Sequence, residues 1–256
     1  NSLDSHMPPP AVQIEFTERQ FAEPYPDGIE RHYWTLARNR VVLGAVQRAL
    51  EGETRRLVVD IGCGRGITLD HLRAAGIEVL GCDLGHAKPI STAIAPFLRH
   101  GVDAAELPAD VRERAGVLLL LDVLEHLPEP ASFLDSICTH FPNAPTVVIT
   151  VPARREIWSN YDEHYGHFHR YDIPASASLF DPGRFEVIRR GYLFRLLYPP
   201  ALALKWLGRK RGVSIAPPSG AAVALHRLIA AWFGVETALL PRRWPGTSLM
   251  LVLRRK

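Results

Sequence analysis

Cysteine is scarce in this sequence: three in 256 residues, Cys63, Cys82 and Cys138. An odd number without metal-type spacing argues against both a disulfide framework and a cysteine-built zinc site. All three lie in or beside apolar runs, so reduced, buried thiols of a cytoplasmic protein are expected. A dominant charge is also missing. Thirty Lys and Arg stand against 27 Asp and Glu, a net +3 that is too small to point to nucleic acid by itself, although Arg254, Arg255 and Lys256 are locally basic. No uninterrupted run of about 20 apolar residues occurs, so a membrane-spanning helix is not expected. Residues 1–10 are polar and proline-rich without an apolar core, which speaks against a secretory signal. Ser5, His6 and Met7 resemble the remnant of a cloning tag, and residues 1–7 are set aside from fold reasoning. Internal repeats and low-complexity segments are absent.

What is present is the composition of a globular domain with a sizeable core: 47% hydrophobic and 22% charged residues. Residues 8–28 carry five prolines and read as an extended arm. Between residues 30 and 50 the apolar positions recur at helical spacing. Short apolar runs at 57–61, 78–83, 117–122 and 146–151 read as buried strands. They alternate with expected helices at 66–75, where Gly76 marks the end, at 86–100, shortened or bent by Pro89 and Pro96, and at 131–141. Residues 152–172 read as a long loop rich in aromatics and histidine, 174–182 as a short helix, 185–190 as a strand and 247–253 as a last strand. Strands apolar throughout and alternating with helices imply an α/β fold: a Rossmann-like, mostly parallel sheet covered by helices on both faces. A hydrophobic helical insertion precedes the last strand. The expected organisation is an arm at 1–29, a cofactor-binding core at 30–191, the insertion at 192–246 and the final strand at 247–256.

The segment Asp60-Ile-Gly62-Cys63-Gly64-Arg-Gly66 lies between a strand and a helix, where an open α/β sheet binds nucleotides. Its glycines permit a tight turn and close approach of the backbone to a ligand. The dinucleotide fingerprint G-x-G-x-x-G would need a third glycine where Ile67 stands. A carboxylate at position 60 repels a pyrophosphate but suits the α-amino group of an amino-acid ligand. Asp83 ends the next strand, where a carboxylate grips a ribose diol. A ligand with a ribose and an ammonium but no diphosphate is S-adenosylmethionine.

This segment resembles the class I S-adenosylmethionine-dependent methyltransferases, and the resemblance runs over about residues 30–190. Residues 101–108 look like the third motif of that family, which implies that Asp103 lies near the adenine. Residues 121–130, Leu-Asp122-Val-Leu-Glu125-His126-Leu-Pro-Glu-Pro, look like the fourth, in the form common among ubiquinone-biosynthesis-type and related small-molecule enzymes. Upstream, His32, Tyr33, Trp34, Ala37 and Arg38 resemble an N-terminal helix that covers the cofactor in one branch. The cofactor set implied is Trp34, Arg38, Asp60, Gly62, Cys63, Gly64, Asp83, Leu84, Asp103 and Asp122, with S-adenosylhomocysteine as the product.

Methyl transfer from a sulfonium is an in-line displacement, so the protein aligns the acceptor and helps remove its proton. In the branch resembled, a Trp…Asp…Gly-His…Arg-Tyr pattern follows the fifth strand, matching Trp158, Asp162, Gly166, His167, Arg170 and Tyr171. Histidine suits general-base work near neutral pH. His167 is the first candidate, His126 the second, and Asp162 is expected to act with them. His164, His167 and His169 do not share a helical face and no metal is expected. Arg170 suits an anionic acceptor group or a loop staple.

The stretches 193–207 and 221–240, flanked by basic residues and tryptophan, suit a lid, a homodimer interface or peripheral membrane contact through 193–240. The expected acceptor is a hydroxyl on a small molecule or on a lipid- or glycan-linked one. Nucleic acid is disfavoured, because no basic face stands out and Asp122-Val-Leu-Glu125 replaces the amino-methylating Asn/Asp-Pro-Pro-Tyr motif. A catalytically inactive S-adenosylmethionine-binding scaffold is the alternative.

Overall fold

Residues 25–256 of the computed structural model are described here; most of the expected arm lies outside them. Four of the five parallel strands are the short apolar runs. β1 (Leu57–Ile61), β4 (Ala115–Leu121) and β5 (Thr146–Pro152) are buried almost throughout, β2 (Val79–Asp83) nearly so, and the short β3 (Leu98–His100) forms one edge. Two further strands, β6 (Phe185–Leu193) and β7 (Ser248–Arg255), complete a seven-stranded sheet of order β3-β2-β1-β4-β5-β7-β6. β7 runs antiparallel to both β5 and β6. The strand order reverses between β1 and β4, so their C-terminal ends diverge and open the crevice in which such sheets bind ligands.

The helices follow the apolar spacing. α1 (Tyr33–Ala49) and α2 (Ile67–Ala74) cover one face, with Val42, Val46, Leu69 and Leu72 buried against Val58, Val117 and Val148. The short α3 (Ala109–Arg114), which the sequence pattern does not announce, leads into β4, and α4 (Pro130–His140) covers the other face. There Leu134, Ile137 and Phe141 meet Leu118, Leu120 and Ile149. The three cysteines are free and buried.

One expected helix does not form. Residues 84–94 run as an irregular loop, followed by a single 3-10 turn, Ala95–Phe97, and β3. Pro89 and Pro96 deprive a helix of two donors. The loop instead bonds to the glycine turn: Arg65 Nε donates to the Lys88 carbonyl at 2.9 Å, and Ile90 N donates to the Arg65 carbonyl at 2.9 Å.

Between β5 and β6, Ser159 caps the one-turn helix α5 (Asn160–His164) in a reciprocal box with Asp162. The insertion between β6 and β7 contains α6 (Tyr198–Trp206) and α7 (Ala222–Leu239). By length and composition α7 is apolar enough to cross a membrane, yet one face is seated in the fold. Phe233 stacks on Tyr33 and meets Phe194 edge-on, and Glu236 is buried against Arg195.

Candidate active site

The turn after β1 lies where the crevice opens. Gly62, Gly64 and Gly66 all have positive φ, at 78°, 51° and 76°. At Gly62 a side chain is excluded twice over, since a Cβ would also stand 2.6 Å from Val123 Cγ2. Asp83, at the end of β2, holds the turn open: its carboxylate accepts from Gly64 N at 2.7 Å and from Gly85 N at 2.8 Å. His100 Nε2 meets the Gly64 carbonyl at 2.8 Å. Burial raises the Asp83 pKa, and the two backbone donors work against that rise. Beside it Leu84 stays 45% exposed, an apolar surface at the mouth of the crevice.

Two buried charges at this end are incompletely satisfied. Asp60, the last polar residue of β1, is raised to a pKa of about 7, chiefly by burial; Arg38 opposes the rise while Asp83 and Asp122 add to it. Its Oδ1 meets no hydrogen-bond donor among the described residues, and neither does Arg38 Nε meet an acceptor. Such atoms are costly unless a ligand or water meets them. The remaining Arg38 nitrogens are engaged. Nη1 bonds Asp122, and Nη2 donates to Thr68 Oγ1 at 3.0 Å, which in turn donates to Asn39 Oδ1 at 3.0 Å. The guanidinium also lies over the Trp34 ring, 4.8 Å from its centroid. Asp122 adopts φ 58°, rare for a non-glycine residue, and Thr150 Oγ1 donates to its Oδ1 at 3.2 Å.

An unmet buried anion and an unmet buried cation side by side fit the two ends of an α-amino acid. The residues present therefore fit the amino-acid portion of S-adenosylmethionine. Asp103, expected near the adenine, is exposed after β3 and caps a 3-10 turn, accepting from Ala105 N at 2.8 Å.

The β4 and β5 loops meet across the crevice. Phe168 N donates to the Glu125 carbonyl at 2.7 Å, tying the loop of residues 153–172 to the turn after β4. His167 Nδ1 lies 2.9 Å from Asp162 Oδ1 and donates to it in this arrangement, which leaves Nε2 as the acceptor. Arg170 Nε donates to the same carboxylate oxygen at 2.7 Å, and its Nη1 to the Ala153 carbonyl at 2.8 Å. Arg170 is thus a loop staple. Burial acts to raise the Asp162 pKa, but the His167 hydrogen bond and the Arg170 charge prevail and lower it to about 2. His126 packs edge-on against His167, with centroids 4.8 Å apart, and bonds the backbone of Tyr165. Burial and His167 push its pKa down to about 3. Glu125 is buried, and desolvation beside Asp122 raises its pKa, favouring the neutral acid.

His164 and His169 do not join His167. Instead, Glu125, His126 and His167 present potential ligand atoms within 4.8 Å of one another, the one such trio among the described residues. Its Asp162-held histidine would suit a metal ion as well as a proton.

Two participants are invisible to sequence reasoning. Arg65, inside the glycine turn, bonds the Tyr25 carbonyl and the Asp27 carboxylate as well as Lys88. It thereby clamps the chain preceding α1 across the crevice. The Tyr25 phenol is raised in pKa chiefly by burial, with Arg38 opposing the rise and Asp122 and Glu125 adding to it, so it lies near these charges. No periodicity or motif marks a lone tyrosine in a proline-rich arm.

Residues 33–216, more than half of the chain, match a family model described as a methyltransferase domain. Parts of the chain are similar to two ubiquinone biosynthesis O-methyltransferases. Identity is 36% over 89 residues with that of Stutzerimonas stutzeri (strain A1501), covering 32% of this chain and 38% of the relative. With that of Serratia proteamaculans (strain 568) it is 29% over 129 residues, 47% of this chain and 53% of the relative. The chain therefore spans about half or less of these relatives' length. Among solved structures, the plantazolicin methyltransferase BpumL in complex with SAH superposes with a TM-score of 0.52 at 14% identity, covering 87% of this chain and 85% of that one, which establishes a shared fold.

Proposed function

The chain belongs to the class I S-adenosylmethionine-dependent methyltransferases, and from that premise we propose that it methylates a hydroxyl of a small-molecule or lipid- or glycan-linked acceptor. The observation that carries the reading is the unmet pair at the base of the crevice, Asp60 Oδ1 and Arg38 Nε. Asp60 would receive the cofactor's ammonium and Arg38 its carboxylate, while the glycine turn and Asp83 would accommodate the nucleoside. The two ubiquinone biosynthesis O-methyltransferases to which parts of the chain are similar support a hydroxyl as the acceptor.

Bound S-adenosylmethionine supplies an activated methyl group on a positively charged sulfur and leaves as S-adenosylhomocysteine. The protein contributes alignment and proton removal. His167 is the base of this reading: Asp162 holds its Nδ1 proton, so Nε2 receives the proton of the acceptor hydroxyl as the carbon–oxygen bond forms. Asp162 acts through His167 as a positioning residue, because it is fully buried and faces His167, Arg170 and Ser159. His126, a poor base with its pKa near 3, shapes the wall against which the acceptor lies.

Calorimetry with S-adenosylmethionine and S-adenosylhomocysteine tests the first half of the reading, and absence of binding by both would sink it. Formation of S-adenosylhomocysteine against a panel of phenols, sugars and prenylated phenols tests the second. His167→Ala should lower turnover by about 10²–10⁴-fold with cofactor affinity retained; undiminished turnover removes His167 as base. Tight binding with no transfer to any acceptor would instead favour a non-catalytic cofactor-binding protein.

A further inference from the structure

The segment between β6 and β7 has no part in the chemistry above and carries the most unusual surface of the molecule. α7 has two apolar faces. Ala230 and Phe233 point into the fold, whereas Leu225, Leu228, Trp232, Val235 and Leu239, spaced alternately by three and four residues, form an exposed stripe. The end of α6 adds Trp206 and Leu207, 79% and 69% exposed. The two helices are joined at the base, where Glu236 of α7 accepts from the backbone and guanidinium of Arg195 and from Leu196 N. A soluble surface seldom leaves so many large apolar side chains of one short segment open to water.

The charges carried by this segment itself are of one sign but for one buried glutamate. Residues 196–247 contain seven basic side chains: Lys205, the run Arg209-Lys210-Arg211, Arg227, and the pair Arg242-Arg243. All seven residues are exposed. The same stretch has a single acidic residue, Glu236, which is buried in its pair with Arg195. A second copy of the chain docking by a two-fold axis would set this cationic patch against itself. A bilayer carrying anionic headgroups meets all three features at once: aliphatic and indole side chains enter the headgroup boundary, and the Lys and Arg side chains pair with phosphates.

We propose that the α6–α7 insertion docks the protein on an anionic lipid surface. The connection between the two helices carries the docking face to the acceptor side of the crevice. Asn160 Nδ2 donates to the Arg211 carbonyl at 2.9 Å, the Tyr165 hydroxyl donates to the Val213 carbonyl at 2.7 Å, and the Arg211 guanidinium lies over Tyr161, 4.4 Å from its ring centroid. Docking would bring the loop that carries His167 close to the lipid headgroups. The proposal stands on the surface alone and does not require the methyl-transfer reading.

The test is co-flotation of the full chain with vesicles of phosphatidylcholine alone or of equal parts phosphatidylcholine and phosphatidylglycerol. At least about tenfold more protein should float with the anionic vesicles at about 0.1 M salt, and raising the salt should release part of it. Leu228→Ser with Trp232→Ser, and separately Lys205→Gln with Arg209→Gln and Lys210→Gln, should each abolish the excess. Circular dichroism and S-adenosylhomocysteine affinity should stay unchanged, which separates loss of docking from loss of fold or of the cofactor site. Equal partition onto both vesicle types, or none, overturns the proposal. So does sedimentation velocity showing a dimer that Leu228→Ser with Trp232→Ser dissolves while the wild type ignores both vesicle types.

Discussion

The two ends of the crevice treat buried charge in opposite ways. At the β1–β2 end, Asp60 and Arg38 are buried with atoms unmet. At the β5 end, Asp162 is buried as well, yet it accepts from Ser159, His167 and Arg170 together. A charge satisfied within the protein holds the protein's own shape, and a charge left short is available to a ligand. The candidate cofactor end is thus built on the ends of β1 and β2 and on helix α1, where backbone is rigid. The acceptor end is a loop that had to be built by its own ion network before it could present a histidine.

Asp162→Ala should break this contrast most severely. It leaves the buried Arg170 and His167 without their shared anion, at a cost of about 3–5 kcal/mol measured by denaturant unfolding. A loss under about 1 kcal/mol would mean that the loop does not depend on this network. Asp60→Asn should do the reverse. Folded stability is kept, because the residue removed is a carboxylate that burial disfavours, while affinity for S-adenosylhomocysteine falls by about 1–3 kcal/mol through loss of a charge-assisted bond. Unchanged affinity by calorimetry would remove Asp60 from the site.

The smallest effect is a pH dependence of cofactor binding. Asp60 titrates near 7 in the free protein, and only its ionised form pairs with an ammonium. Affinity for S-adenosylhomocysteine should therefore weaken as pH falls below about 7, by up to about tenfold per unit. Binding in buffers of different ionisation enthalpy should reveal proton release near pH 7 that Asp60→Asn abolishes. A flat profile in the wild type would place the ammonium elsewhere.

Much of the cofactor end was legible because its signals are local. Strand, glycine turn and helix are contiguous over residues 57–74, and Asp83 ends the next apolar run. The expected helix over 86–100 failed because its alternative partner, Arg65, lies more than 20 residues away, and helical spacing says nothing about such a bond. β3 and α3 are too short for a period to show. Asp103 was expected near the adenine by resemblance, and its turn-capping role follows from a backbone geometry that spacing does not reveal. Among the loop histidines, spacing separates none from the others, and His167 stands out in the sequence only through the resemblance of its Gly-His pair. The structure adds that the chain folds back to place Asp162 behind His167 and Glu125 and His126 beside it.

From its sequence alone, this protein was determined to be a mostly parallel α/β sheet with an acidic glycine turn for a sulfonium nucleoside. Apolar periodicity and turn chemistry act between near neighbours and need no tertiary context. Only the tertiary structure decided which buried charges remain unmet, that Arg65 draws Tyr25 over the crevice, that Arg170 staples a loop, and that α7 turns a second apolar face outward. Each depends on which distant residues arrive to satisfy a polar or apolar group, and that is a property of the packed chain.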